Sequence, residues 1–227
     1  MAEYKLINEI GRGAMGIVYT ALQLPLERVV AVKLIRAVPA EDDELSKRFH
    51  LEMAACTKLV HPHIIKIFDS GVMDERLFFA MEYLADAASL REILDREGAL
   101  PVSRAVGITL QLLDAIGYCH ERSFVHRDLK PSNLMIGRDD HVTLMDFGLV
   151  RDLNRTPVTA PGVVLGAPRY RSPEMLQSLA VGPEADLWGA GTILYELLTG
   201  RPAFCTEAQE QLLSQIVLCQ FIPASQA

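Results

Sequence analysis

His126-Arg127-Asp128-Leu129-Lys130-Pro131-Ser132-Asn133, followed by Asp146-Phe147-Gly148, is the stretch on which the fold turns. It holds two aspartates, an asparagine and a lysine, set on loops that follow a helical and a strand-like segment. Phosphoryl transfer from ATP needs metal ligands, cations that offset phosphate charge, and a group that orients the attacking hydroxyl. These residue types supply all three. A lone Asp-Phe-Gly is an ordinary turn; the two motifs in this order and spacing are not.

Working outward toward the N-terminus, Gly11-Arg12-Gly13-Ala14-Met15-Gly16-Ile17-Val18 lies between two expected strands. Glycines there let backbone approach a polyphosphate and offer it N–H donors. A glycine-rich hairpin gives the same spacing, so alone the pattern is weak. A strand follows it where a dinucleotide-binding unit would place a helix. Lys33 sits in Val30-Ala31-Val32-Lys33-Leu34, on the side of the strand shared with Ala31 and opposite to Val30, Val32 and Leu34. A lysine in so apolar a strand is costly unless it meets an anion, although a snorkelling lysine at a sheet edge is the plainer reading. Glu52 borders the apolar stripe Leu45, Phe49, Met53 and Cys56 of an expected helix. An exposed helix face accounts for Glu52 alone; the two residues together suggest a Lys33–Glu52 ion pair.

Around these motifs the chain divides in character. Strands are expected at Leu6 to Ile10, Ile17 to Leu22, Arg28 to Ile35, Ile64 to Phe68 and Leu77 to Tyr83, with a helix from Glu41 to Val60. Beyond Leu84 the pattern becomes long and helical, at Ser103 to Arg122 and Glu184 to Leu198, with a short helix near Glu207 to Leu218. The expected architecture is α+β: a small β-rich lobe over residues 1–84, joined near Glu82–Ala85 to an α-rich lobe over residues 85–227. A cleft between two such lobes is a natural ligand site. The chain of 227 residues is half hydrophobic, with 22% charged residues and a net charge of −7, which fits a packed core and excludes phosphate-backbone binding as the main activity. Cys56, Cys119, Cys205 and Cys219 form no CxxC pair and read as buried free thiols in a reducing compartment. Neither a leader nor a membrane span is legible, so a cytoplasmic protein is expected.

The chain resembles the eukaryotic-type Ser/Thr protein kinases, in their bacterial form, from about Tyr4 onward. The resemblance implies a two-lobe protein-kinase-like fold, ATP and Mg2+ as cofactors, and a protein substrate. It implies that Gly11, Gly13 and Gly16 cover the ATP phosphates and that Lys33, held by Glu52, binds them. Val18, Ala31 and Met135 would contact the nucleotide beside the gatekeeper Met81 and the hinge Glu82 to Leu84. Asp128 would orient the acceptor hydroxyl, and Lys130 would contact the transferring phosphate and favour Ser/Thr over Tyr. Asn133 and Asp146 would hold metal. Asp186 would anchor the catalytic loop from a core helix. Cys56, Ile67, His126 and Phe147 would form a buried stack in which His126 is a core histidine and not a base.

Thr156 and Thr159 are the expected phosphosites, since a phosphate on either would pair with Arg127. Two departures bear on competence. Ala167 stands where relatives carry Thr. The glutamate matching Glu174 pairs, in the family, with an arginine beyond the position of Ala227, so the large lobe is expected to lack its final helices. The alternative to an active kinase is therefore an impaired pseudokinase or nucleotide-binding scaffold; a small-molecule phosphotransferase is disfavoured by Ser172-Pro173-Glu174. Substrate identity and oligomeric state are left open.

Overall fold

The computed structural model describes residues 3–13, 16–24, 26–39, 43–146, 168–177, 179–206 and 208–227. They fall into two compact units, one of residues 3–60 and 64–85, the other of residues 61–63, 86–146 and 168–227.

The first unit is an antiparallel five-stranded sheet with one helix. Its strands are β1 (Glu3–Gly13), β2 (Gly16–Leu24), β3 (Arg28–Pro39), β4 (Ile67–Met73) and β5 (Arg76–Met81), in the order β1-β2-β3-β5-β4. Tyr4, Ala21, Val30, Val32, Leu34, Phe78 and Ala80 form its buried apolar cluster. Asp74 and Glu75, both with positive φ, make the tight β4–β5 turn, the conformation whose twist matches flanking strands.

Helix α1 (Asp43–Cys56) is shorter than the expected Glu41 to Val60. It unwinds where the Thr57 hydroxyl donates to the Ala54 carbonyl at 3.0 Å and the Lys58 and Leu59 amides bond only three residues back. Phe49, Met53 and Cys56 are buried as their spacing requires, and Leu45 lies outside the side chains described. Strand β4 also departs from expectation. Its body runs to Met73, through Asp69, Ser70 and Gly71, because pairing with β5 outweighs their poor strand propensity.

The second unit is largely helical. A short β6 (Ala88–Ser89) leads into α2 (Leu90–Glu97), followed by α3 (Val102–His120), β7 (Leu134–Ile136), β8 (Val142–Leu144), α4 (Pro173–Leu176), α5 (Glu184–Thr199) and α6 (Gln209–Val217). Helix α3 buries Ala105, Ile108, Leu112, Ala115, Ile116 and Cys119, and packs on α5. The sequence reading omitted α2, whose apolar residues are only Leu90, Ile93 and Leu94; it forms behind a capping box in which Ser89 and Glu92 satisfy each other's backbone amides. Phe204, Leu212 and Ile216 make a further cluster against Trp188, whose ring stacks on Phe204 at 5.7 Å.

None of the four cysteines is in a disulfide, but only Cys56 and Cys119 are buried. Cys205 and Cys219 are exposed, which corrects the expectation for that pair: one lies in the loop after Phe204, the other in a left-handed turn just past α6. Among the described residues no helix is long and apolar enough to cross a membrane.

Candidate active site

The first unit gathers one group of candidates through strand register. Lys33 stands opposite Val18 on β2 and Phe79 on β5, Ala31 opposite Thr20 and Met81, and Gly11 opposite Val18. Directly opposed residues share a face of the sheet. Gly11, Val18, Ala31, Lys33 and Met81 therefore line one face, while Val30, Val32 and Leu34 pack into the cluster on the other. Lys33 is buried, with Nζ 5.9 Å from the centre of the Phe79 ring. Glu52 is half-buried on α1, beside the stripe of Phe49, Met53 and Cys56.

The glycines differ in what requires them. A Cβ on Gly16 would collide with the Leu34 carbonyl oxygen, so the close approach of β2 to β3 already demands glycine there. Among the described residues a Cβ on Gly13 would meet nothing within 4 Å, and one on Gly11 only the Val18 side chain at 3.9 Å. Glu82 is exposed, and its amide donates to the Lys66 carbonyl at 2.9 Å. Met135, on β7, belongs to the second unit, where it pairs with Ser89 and Thr143.

The second unit gathers the other group around one loop. Lys130 Nζ donates to Asp128 Oδ2 at 2.7 Å, and Asn133 Nδ2 donates to the Asp128 carbonyl at 2.8 Å and to Oδ2 at 3.1 Å. Asn133 sits in the single turn Pro131–Asn133, where proline pre-sets the backbone. Asp146 is brought beside this loop by Met145. The Met145 amide donates to the Asn133 carbonyl at 2.8 Å, and the Met145 carbonyl accepts from His126 Nε2 at 2.9 Å. His126 is 1% exposed and its Nδ1 accepts from the Asp128 amide at 3.3 Å. Both ring nitrogens of His126 are thus engaged by backbone groups.

Asp186, in the first turn of α5, underlies the loop. Its Oδ2 accepts from the His126 amide and its Oδ1 from the Arg127 amide, each at 2.8 Å, and His120 Nε2 lies 2.8 Å from Oδ2. Gly189, one turn along, is pressed against Leu129; a Cβ there would lie 2.8 Å from the leucine Cβ. Arg127 and Asp146 both hold left-handed backbone, φ 62° and 50°, which non-glycine residues adopt only under constraint. The Asp186 bridge and the Lys130 and Asn133 clamps on Asp128 were only partly foreseen, because they depend on how α5 and the loop pack. Phe147, Thr156, Thr159 and Ala167 lie outside the described residues.

Asn133 and Asp146 suit a magnesium ion on the chemistry of their donors. The Asn133 amide spends Nδ2 on Asp128, so Oδ1 is the atom left for a cation, and Asp146 adds a carboxylate. Among the described residues no three His, Cys, Asp or Glu side chains form a metal cage. Magnesium commonly takes one or two carboxylates and completes its shell with phosphate oxygens and water.

Residues 4–226 match the family described as protein kinase domain. The chain is 36% identical to serine/threonine-protein kinase PrkC of Bacillus subtilis over 90% of its own length and 32% of that protein's. It is 35% identical to serine/threonine-protein kinase PknB of Mycobacterium leprae over 98% of its length and 36% of that protein's. It is 39% identical to probable serine/threonine-protein kinase PknB of Bifidobacterium longum, over 99% and 34% respectively. The chain thus spans about a third of the length of these relatives.

Proposed function

The chain belongs to the protein kinase domain family, and from that premise we propose that it is an ATP-dependent serine/threonine kinase of the bacterial kind, acting on protein hydroxyls. The observation that carries the reading is the loop in which Lys130 and Asn133 clamp Asp128 while Met145 ties Asp146 alongside. The two units are read as the small and large lobes of one kinase domain, divided near residue 84. The domain is assigned to the cytoplasm, where ATP and magnesium are available.

In this reading the sheet face bearing Gly11, Val18, Ala31, Lys33 and Met81 takes the nucleotide. Gly13 and Gly16 continue the phosphate cover, Glu82 to Leu84 supply backbone groups to adenine, and Met135 adds an apolar contact. Lys33, steadied by Glu52, binds phosphate. Asp128 accepts the proton of the acceptor hydroxyl as its oxygen bonds to the γ-phosphorus. The bond from that phosphorus to the bridging oxygen breaks and ADP leaves. Lys130 offsets charge on the phosphoryl group in flight. Magnesium, held by Asn133 and Asp146, would neutralise phosphate charge. Thr156 and Thr159 are the proposed regulatory phosphosites.

The test is the identity of the phosphorylated residue. Incubated with ATP, magnesium and a mixed protein substrate, the chain should yield phosphoserine and phosphothreonine, with Asp128→Asn slower by roughly 10²- to 10⁴-fold. Phosphotyrosine alone, or transfer only to small molecules, would contradict the proposal.

A further inference from the structure

Asp186 is 1% exposed, and among the described residues its carboxylate has three donors: the His126 amide, the Arg127 amide and His120 Nε2. A carboxylate only accepts, so Nε2 of His120 carries the hydrogen. His120 is thus the only side chain in the set, and it shares Oδ2 with the His126 amide. It stands in the last turn of α3, where helix carbonyls favour a donor. Its neighbour Cys119 offers no charge to the buried anion, because burial and Asp186 push that thiol up to about 12.

We infer that His120 is a positioning residue for phosphoryl transfer, holding Asp186 in the orientation that fixes the catalytic loop. This rests on the kinase reading above. The path runs through short contacts: His120 to Asp186, Asp186 to the amides of His126 and Arg127, and from there to Asp128, whose amide is bound to the His126 ring. Arg127 holds its left-handed backbone with its amide bound to Oδ1. Without the His120 donor the carboxylate keeps two amides in a site water barely enters. Rotation of the carboxylate toward another donor then releases one of them, and Asp128 shifts with the loop. Donation, and not volume, is what the role requires.

The experiment compares wild type, His120→Phe, His120→Gln and Ile116→Val, the last a packing change in the same helix. Hydrogen exchange of the His126 and Arg127 amides is measured beside kcat and KM for ATP. His120→Phe should speed exchange at both amides by about tenfold or more. It should also lower kcat roughly 10- to 100-fold with KM for ATP nearly unchanged. His120→Gln, which keeps a donor, should recover most of both. Ile116→Val should lose stability without losing kcat. Unchanged exchange in His120→Phe, or equal damage from Gln and Phe, overturns the inference. If wild type transfers no phosphate, the kinase reading falls while the exchange data still decide the role of His120. A wild-type nitrogen spectrum bears on it without any variant: the hydrogen should sit on Nε2 of His120, and a hydrogen on Nδ1 alone contradicts it.

Discussion

Ser172 is fully buried, and its Oγ meets no hydrogen-bond partner among the described residues. A hydroxyl stripped of water without a partner costs about 1–3 kcal/mol. Ser172→Ala should therefore hold or raise stability, by up to about 1 kcal/mol in chemical denaturation; a loss of that size would mean the hydroxyl is bonded. The thiols give a second test at this scale. Cys119 is buried and pushed up to about 12, whereas Cys205 and Cys219 are exposed. At mildly alkaline pH a maleimide should label Cys205 and Cys219 in the folded protein, and all four only after denaturation. Labelling of Cys119 in the native state would contradict its packing. Sequence marked Asp128, Asn133 and Asp146 because unlike chemistries stood in two motifs at close spacing, and Lys33 because a lysine interrupted an apolar strand. It passed over His120, since nothing in an isolated histidine at a helix end announces a buried aspartate 66 residues further on.

Helix α2 shows where legibility stopped among the elements. Its eight residues carry too little apolar periodicity to stand out, yet Ser89 and Glu92 spell a capping box. Ser89→Ala should cost about 1 kcal/mol. The Glu92 carboxyl is held below its ordinary value, first by the Ser89 amide and then by the Ser89 hydroxyl. A carboxylate lowered in the folded state stabilises above its unfolded value of 4.5 and loses that contribution as pH falls. The gap in melting temperature between wild type and Glu92→Gln should accordingly shrink as pH falls below about 4.5, and a gap independent of pH would rule this out. Long elements were legible because period and length agree, as in α3 and α5. Their ends, and the course of β4, were not, because pairing and side-chain bonds such as Thr57 to Ala54 decide them.

For the molecule as a whole, the division into a β-rich and an α-rich unit was readable from the change in periodicity near Leu84. Apart from the Asp186 anchor, the polar ties within the second unit were not. Glu196 is 1% exposed and accepts from Tyr170 Oη and from Arg91, each at 2.7 Å, joining α5 to α2 and to the segment before Ser172. Burial, and then Glu196, push the Tyr170 phenol up, as burial does the Cys119 thiol. Acids raised in the folded state stabilise below their unfolded values and lose that contribution as pH rises. Folding stability should fall above about pH 9, where the unfolded chain ionises first, and Tyr170→Phe should remove part of that fall. The central claim, that Asp128, Lys130, Asn133 and Asp146 form a working phosphoryl-transfer site, is tested most directly by intact mass. Incubated with magnesium, ATP and an added protein acceptor, wild type should add phosphate to itself or to the acceptor, and Asp146→Asn should add none. A cooperatively folded wild type that adds none to either, or an Asp146→Asn variant that adds as much, would contradict the account.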